Sequence, residues 1–193
     1  MKNMIIALAL GSLAGCVATP QAVAPGPFAS EAGFSVPLEN SWSQWAPSIN
    51  FQTQGEFLTK DGVGLNRLHL VSLEDGDAFV KAVRDTDLPK YTASSSEIDI
   101  ADFVASSFTR IGYSSMEAEA IEPATFDGND GISFKLSGKT DKGLNVVGDA
   151  AAVKLGDDLK LVVFLAPEMH YYDASAEEVS GIISGIDFPG GES

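Results

Sequence analysis

The sequence predicts an α+β fold: an antiparallel sheet of about six to seven strands with amphipathic helices packed on it. Three observations predict it. Short apolar or alternating segments, separated by turns rich in Gly, Asn and Asp, fill much of the chain. Two amphipathic helical segments, residues 99–111 and 173–188, flank the longest series of strands. Apolar residues make up 45% of the chain, which is enough for one globular core.

The start of the chain has the pattern of a bacterial lipoprotein signal. Lys2 precedes an apolar run at residues 4–10, which is too short to span a bilayer but suits a signal peptide. The tetrapeptide Leu-Ala-Gly-Cys then ends at Cys16, the only cysteine. We expect residues 1–15 to be removed and Cys16 to carry the lipid, palmitate included. The alternative is a plain secreted protein with a free thiol.

The residues that follow Cys16 set the expected location and the domain boundaries. Because Val17 stands where an inner-membrane retention signal would have Asp, the outer membrane, facing the periplasm, is favoured. Residues 16–30 are rich in Ala, Pro and Gly without periodicity, which indicates a lipidated flexible tether. A single globular domain is then expected at residues 31–189, with a short tail at 190–193.

Charge and cysteine content exclude several classes of function. The formal net charge is −15, which disfavours nucleic-acid binding and makes a lipid anchor, not a basic patch, the expected membrane contact. One cysteine permits neither an internal disulfide nor a cysteine-based metal site.

The first half of the domain is predicted to hold a short strand and a hairpin. Residues 34–38 form the strand, and Trp42 and Trp45 follow it. These tryptophans are either an exposed pair that grips a partner or lipid, or a cover for one edge of the core. The hairpin pairs residues 50–59 with 65–73 around a glycine-containing turn.

A short helix and a longer one are predicted next. Asp77 could cap the short helix, which would run through Phe79, Val80 and Val83 and end before Pro89. After an exposed loop at residues 92–96, the longer helix occupies residues 99–111, with Asp99 as its N-cap and Gly112 at its end.

The second half of the domain is predicted to be four antiparallel strands and a closing helix. The strands are residues 117–125, 132–137, 144–155 and 159–166. Residues 161–165 are apolar throughout, which indicates a central strand covered on both faces. In the closing helix, Ser175 and Glu178 have the spacing of a capping box.

The side chains available for catalysis or metal binding are few. The two histidines, His69 and His170, are far apart in sequence and are interpreted as surface or rim residues. No nucleophile elbow, dinucleotide-binding or phosphate-binding loop motif occurs. Residues 127–131 depart from the calcium-loop pattern and are interpreted as a hairpin turn. We therefore predict no catalytic residues, no metal site and no cofactor.

A candidate interaction rim lies between the last strand and the closing helix. It consists of Glu168, His170, Tyr171 and Tyr172, with Trp42 and Trp45 as further candidates. Strand-to-helix junctions often carry function, and tyrosines with a histidine offer stacking and hydrogen bonding. The alternative is that one tyrosine packs on the core and the others form a plain rim.

The order of elements resembles the PsbP-like α/β/α sandwich, most clearly over residues 98–186. The resemblance lies in the helix, the 127–131 turn, the small-residue strand at 148–153, the apolar strand at 161–165 and the closing helix. The chain also resembles small proteobacterial lipoproteins of unknown function. Known members of the fold are chiefly non-enzymatic accessory or binding proteins, so the resemblance implies an interaction role.

Three functions remain as hypotheses. The first is an envelope-anchored, non-enzymatic accessory protein that binds another protein. The second is a small-ligand carrier with a pocket between sheet and helix, and the third is a hydrolase with a dispersed site.

Overall fold

The computed structural model describes residues 20–45, 53–81 and 87–189, so the expected signal peptide, Cys16 and the tail at 190–193 lie outside the described residues. In chain order, the described elements are β1 (Gln21–Val23), β2 (Gly26–Ala29), β3 (Ser35–Leu38), β4 (Trp42–Gln44), β5 (Glu56–Thr59), β6 (Arg67–Leu73), α1 (Glu97–Arg110), β7 (Tyr113–Phe126), β8 (Asn129–Thr140), β9 (Asn145–Leu155), β10 (Asp158–Pro167), an irregular turn (Glu168–Tyr172) and α2 (Ala176–Ser184).

The main sheet has eight antiparallel strands in the order β1-β4-β5-β6-β10-β9-β8-β7, and β2 and β3 form a separate hairpin. The predicted number of six to seven strands is therefore wrong. The predicted strand at 34–38 lies in the hairpin, and the main sheet gains β1 and β4. Each of these has three residues, which is too few to show an alternating pattern.

Two hydrophobic cores lie on opposite faces of the sheet. Helix α1 covers one face, while α2 and the β2–β3 hairpin cover the other. Strand β10 lies between β6 and β9 and contributes Leu161 and Val163 to the α1 side and Val162 and Phe164 to the α2 side. The prediction of a central strand buried on both faces is confirmed. The close approach of β9 to β10 explains Gly148, since a Cβ there would collide with the Phe164 carbonyl oxygen.

The tether prediction is wrong for the described part of its range. Residues 21–23 pair with β4 and residues 26–29 pair with β3. Ser30 also donates a hydrogen bond from its Oγ to Glu56 Oε2 at 2.5 Å. A two-stranded hairpin tolerates proline because each strand has a free edge, and Pro27 lies opposite Pro37. Residues 16–19 lie outside the described residues.

The short helix predicted after Asp77 is absent from residues 74–81. Asp77 accepts a hydrogen bond from the Glu74 amide through Oδ2, and Val80 forms a bridge with Thr53. Phe79 and Val80 are adjacent and both fully buried, which extended backbone permits. Val83 lies outside the described residues, as do residues 50–52 of the predicted hairpin arm; β5 and β6 form the rest of that hairpin.

Helix α1 begins earlier than predicted. Ser96 is its N-cap, and Asp99 is the third helical residue, so the two form a capping box. The Asp99 carboxylate accepts hydrogen bonds from the Ser96 amide at 3.0 Å and the Ser96 hydroxyl at 2.6 Å. No apolar periodicity reaches Ser96, so the sequence pattern predicts a loop there. In the part of the chain that the structure describes, no helix is long and apolar enough to cross a membrane.

Helix α2 is held by a buried carboxylate instead of the predicted capping box. It begins at Ala176, and the Ser175 side chain makes no capping hydrogen bond. Glu178 accepts hydrogen bonds from the Asn40 amide at 3.0 Å, Trp42 Nε1 at 2.9 Å and Lys60 Nζ at 2.7 Å. This arrangement ties α2 to the β4–β5 part of the sheet and leaves the far strands, β7 and β8, less covered.

Candidate functional site

A groove of about 520 Å³ lies between α2 and the outer strands of the sheet. Helix α2 packs on β3 and β9, so the same face of β7 and β8 extends beyond it. The groove is lined by Ala120, Glu122, Ala124, Thr125, Phe126, Ser133, Phe134, Lys135, Asp149, Ala150, Tyr172, Ala176, Ser180, Ile183 and Ser184.

Strand register determines which side chains face the groove, since directly paired residues of neighbouring strands point to the same side. Lys135 of β8 pairs with Glu119 of β7 and with Asp149 of β9. The alternate residues of β8, such as Ile132 and Leu136, are buried beneath α1. The groove side of β7 and β8 is therefore the polar side of these strands, as their alternating sequence indicates.

A three-residue network spans the floor and the α2 side of the groove. Lys135 Nζ lies 2.9 Å from Asp149 Oδ1 and donates a hydrogen bond to the Tyr172 hydroxyl at 2.9 Å. The Tyr172 hydroxyl donates to Asp149 Oδ2 at 2.8 Å. Hydrogen bonding to Tyr172 and Asp149 raises the pKa of Lys135 above its ordinary value. Burial raises the pKa of Tyr172, so Lys135 stays charged and Tyr172 stays neutral near pH 7.

The outer strand β7 bends at two β-bulges. Its pairing with β8 shifts between Ser114 and Glu117 and again between Glu119 and Glu122. Ser115 and Ala120 adopt left-handed backbone, with φ of 52° and 49°. Bulges of this kind bend an edge strand and are common beside binding sites. Ala120 lines the groove, so the second bulge shapes its outer part.

The predicted interaction rim divides between the groove and the neighbouring surface. Tyr172 enters the groove network, while Tyr171 packs against the core on the α2 side. Glu168 accepts a hydrogen bond from Asn145 Nδ2 at 3.0 Å, outside the groove lining. His170 is exposed, has φ of 76° and contacts the Tyr171 ring edge-on at 5.1 Å. An interaction role for these residues stays a prediction.

The two tryptophans do not form an exposed pair. Trp42 is only 2% exposed and donates its indole N–H to Glu178. Trp45 is half-buried and donates to Thr59 Oγ1 at 3.3 Å. Of the two interpretations, the structure favours packing at the edge of the core. The prediction that Trp42 belongs to an exposed interaction rim is therefore wrong.

His69 is a core residue, so its interpretation as a surface or rim histidine is wrong. Its ring lies among Phe57, Phe79 and Phe108, and Nδ1 lies 3.2 Å from Thr53 Oγ1. Burial, and secondly the charge of Arg67, lowers the pKa of His69 to about 3. Within residues 20–45, 53–81 and 87–189, no cluster of three or more His, Cys, Asp or Glu side chains could hold a metal.

The sequence alone does not single out Lys135 and Asp149 as site residues. Both lie at polar positions of strands with one buried face, where a charged residue is expected and attracts no attention. A signal was present in principle, because antiparallel pairing of β8 with β9 places Lys135 opposite Asp149. Using that signal required the strand register, which depends on the lengths of the turns.

No protein-family model matches the chain, and no curated protein matches it by sequence. Solved structures do match it. Cyanobacterial PsbP (CyanoP) from Synechocystis sp. PCC 6803 superposes with a TM-score of 0.58 at 11% identity, covering 93% of this chain and 97% of that one. A Bacteroides thetaiotaomicron VPI-5482 protein gives 0.50 at 11% identity, covering 88% of this chain and 51% of its own.

The Ran-binding protein Mog1p of Saccharomyces cerevisiae gives a TM-score of 0.48 at 13% identity, covering 87% of this chain and 94% of its own. Identities this low show the fold alone. The sheet, with its helices on both faces, is mainly antiparallel, and the chain has a PsbP-like fold.

Proposed function

We propose that this chain is a lipid-anchored accessory protein of the bacterial envelope that binds another protein through the groove beside α2 and catalyses no reaction. The observation that carries the proposal is the groove itself, with polar side chains held on its floor by paired strands. The resemblance to PsbP-like proteins supports an accessory role, and the Leu-Ala-Gly-Cys sequence ending at Cys16 supports the anchor.

The groove is suited to binding because its polar groups are already in place. Lys135, Asp149 and Tyr172 satisfy one another, so a partner meets a fixed surface and little conformational entropy is lost there. The groove is also open along its outer side, where β7 is an edge strand. A chain segment could therefore enter it lengthwise.

Site-specific photo-cross-linking in cells tests the protein-binding proposal. A photoreactive amino acid at Ser180, an exposed groove residue on α2, should give a discrete adduct of reproducible mass. The control is the same substitution at Asp102, which is exposed on α1 across the sheet. Absence of any Ser180 adduct under several growth conditions, or equal adducts from both positions, would count against the proposal.

The anchor is tested separately by Cys16→Ser. We expect wild-type protein in the outer-membrane fraction with incorporated palmitate, and the variant in the soluble periplasmic fraction without it. Two or three acyl chains hold a protein nearly irreversibly, so the difference should survive a high-salt wash. Retention of the variant in the membrane would contradict lipid anchoring through Cys16.

A small-ligand carrier is the second candidate, and the groove volume favours it. About 520 Å³ lies within the range of roughly 300–1,000 Å³ that is usual for ligand pockets. Native mass spectrometry of protein purified without denaturation should then show a bound mass that is lost when Ile183→Trp fills the groove. Only empty protein, from several preparations, would contradict it.

A further inference from the structure

Three glutamates lie on the outer strand β7 beside the groove, and Glu122 is the one of them that lines it. Glu117, Glu119 and Glu122 of β7 pair with Ser137, Lys135 and Ser133 of β8 and so face the α2 side. All three are exposed. Among the described residues none of the three forms a salt bridge, and Glu119 accepts a hydrogen bond from Ser137 Oγ at 2.9 Å.

Lys135 and Lys139 lie on the same face of β8, and among the described residues neither forms a salt bridge with these glutamates. Lys135 lies directly beside Glu119 in the register, yet its ammonium group is bound to Asp149 and to the Tyr172 hydroxyl. The Lys135–Asp149 pair is neutral as a unit. The three glutamates and Lys139 therefore leave this face of the outer strands with a local charge of about −2, within a chain whose net charge is −15.

The spacing of the glutamates matches an extended chain. Glu117 and Glu119 are two residues apart on one strand, which places their side chains about 7 Å apart on the same face. A second extended chain presents alternate side chains with that same spacing. Beyond the bulge at Ala120, Glu122 continues the acidic row into the groove, where Ala124 and Ile183 provide apolar surface.

We propose that this acidic strip and groove bind an extended basic segment of a partner protein, with lysine or arginine at alternate positions and small or apolar residues between them. The inference rests on the proposed protein-binding function and adds the chemistry of the partner. The cations pair with Glu117, Glu119 and Glu122, and the side chains between them point away from the sheet, as alternate side chains of an extended chain do. Acidic segments and phosphate backbones are repelled from this face.

The first experiment measures binding of a fluorescein-labelled (Lys-Ala)5 peptide by anisotropy. In the groove variant, Glu117→Gln/Glu119→Gln/Glu122→Gln, affinity should fall about tenfold or more. The control, Asp87→Asn/Asp102→Asn/Asp141→Asn, removes three exposed carboxylates elsewhere and should change affinity by less than about threefold. Equal losses in both variants, or no binding to wild type in low salt, would overturn the inference.

A second readout locates the peptide on the protein. Amide chemical shifts of the 15N-labelled chain should move on β7, β8 and α2 when (Lys-Ala)5 is added. Shifts scattered over the whole surface would show non-specific attraction to an acidic protein and overturn the inference. Unchanged thermal midpoints of both triple variants would show that the folded state is intact.

Cross-linking from Ser180 in cells separates this inference from the function it rests on. An adduct that disappears in the groove variant and persists in the control variant supports both. An adduct that persists in the groove variant contradicts the basic-segment inference and leaves the protein-binding function standing. If wild type gives no adduct, the proposed function fails, and the peptide titration still decides whether the acidic strip binds basic chains.

Discussion

At the scale of single residues, the buried polar side chains have the largest expected consequences. His69 is 1% exposed, and no hydrogen-bond partner of its Nε2 is found among the described residues. Its low pKa means that the folded protein holds His69 neutral, whereas an unfolded chain binds a proton near pH 6.5. Because only the unfolded chain protonates His69 readily, acid destabilises the folded protein through this residue.

The first prediction concerns this pH dependence. The His69 contribution to stability is fully present above pH 6.5 and is lost as pH falls toward 3. The unfolded state binds the extra proton, so about 2 kcal/mol should be lost between pH 7.5 and pH 5. Urea unfolding of wild type and His69→Met at both pH values measures it. The variant lacks the titrating group, so equal pH dependence of the two proteins would contradict the prediction.

The second prediction concerns Glu178. Burial alone would raise its pKa, but hydrogen bonds from Lys60, Trp42 and Asn40 outweigh burial and lower it. Glu178→Ala leaves these donors without their acceptor, and we expect a loss of about 3 kcal/mol in the free energy of unfolding. Glu178→Gln keeps an acceptor and should lose less.

Glu177→Ala is the matched control for Glu178, because Glu177 is exposed on the same helical turn. Its effect in urea unfolding should stay within about 0.5 kcal/mol. Equal losses at the two positions would show that the buried network does not hold α2 in place.

At the scale of elements, the predictions that rest on long apolar periodicity are confirmed, and the helix predicted from a short, weak pattern is wrong. Strands β7 to β10 and the two helices have long periodic segments, and the predicted elements overlap them. The short strands β1 and β4 lack such a pattern and depend on pairing with a neighbour. The helix predicted after Asp77 is wrong because tertiary burial of Phe79 and Val80 outweighs a weak local preference.

The third prediction concerns the start of α1. Ser96→Ala removes the hydroxyl that accepts a hydrogen bond from the Asp99 amide, and should cost about 1 kcal/mol. Ser106→Ala, at an exposed position within α1, is the control and should be neutral or slightly stabilising. Thermal or urea unfolding of both variants measures the difference. If Ser96→Ala were as stable as Ser106→Ala, the capping box would contribute nothing.

At the scale of the whole molecule, the folded unit begins before the boundary predicted from the sequence. Strand β1 pairs with β4, β2 pairs with β3, and Ser30 binds the buried carboxylate of Glu56. The residues ahead of position 31 therefore belong to the fold from at least β1 onward. They complete one edge of the sheet and part of the core on the α2 side.

The fourth prediction compares two N-terminal truncations. A chain that starts at residue 31 loses β1, β2 and the Ser30 hydroxyl, so it should be less stable by about 2 kcal/mol or more than one that starts at residue 20. Removing residues 190–193 is the control and should leave stability unchanged. Equal urea midpoints for the two N-terminal truncations would restore the tether interpretation of residues 20–30.

The sequence predicts the fold class, the central strand and helices α1 and α2, because apolar periodicity is a local property of the chain. It also indicated the expected anchor at Cys16, which lies outside the described residues. Only the tertiary structure brought Lys135, Asp149 and Tyr172 together and moved Trp42 and His69 from a possible surface into the core. Strand register, pairing at the sheet edge and the part of the sheet that α2 covers decide these placements. Each depends on contacts between residues distant in sequence.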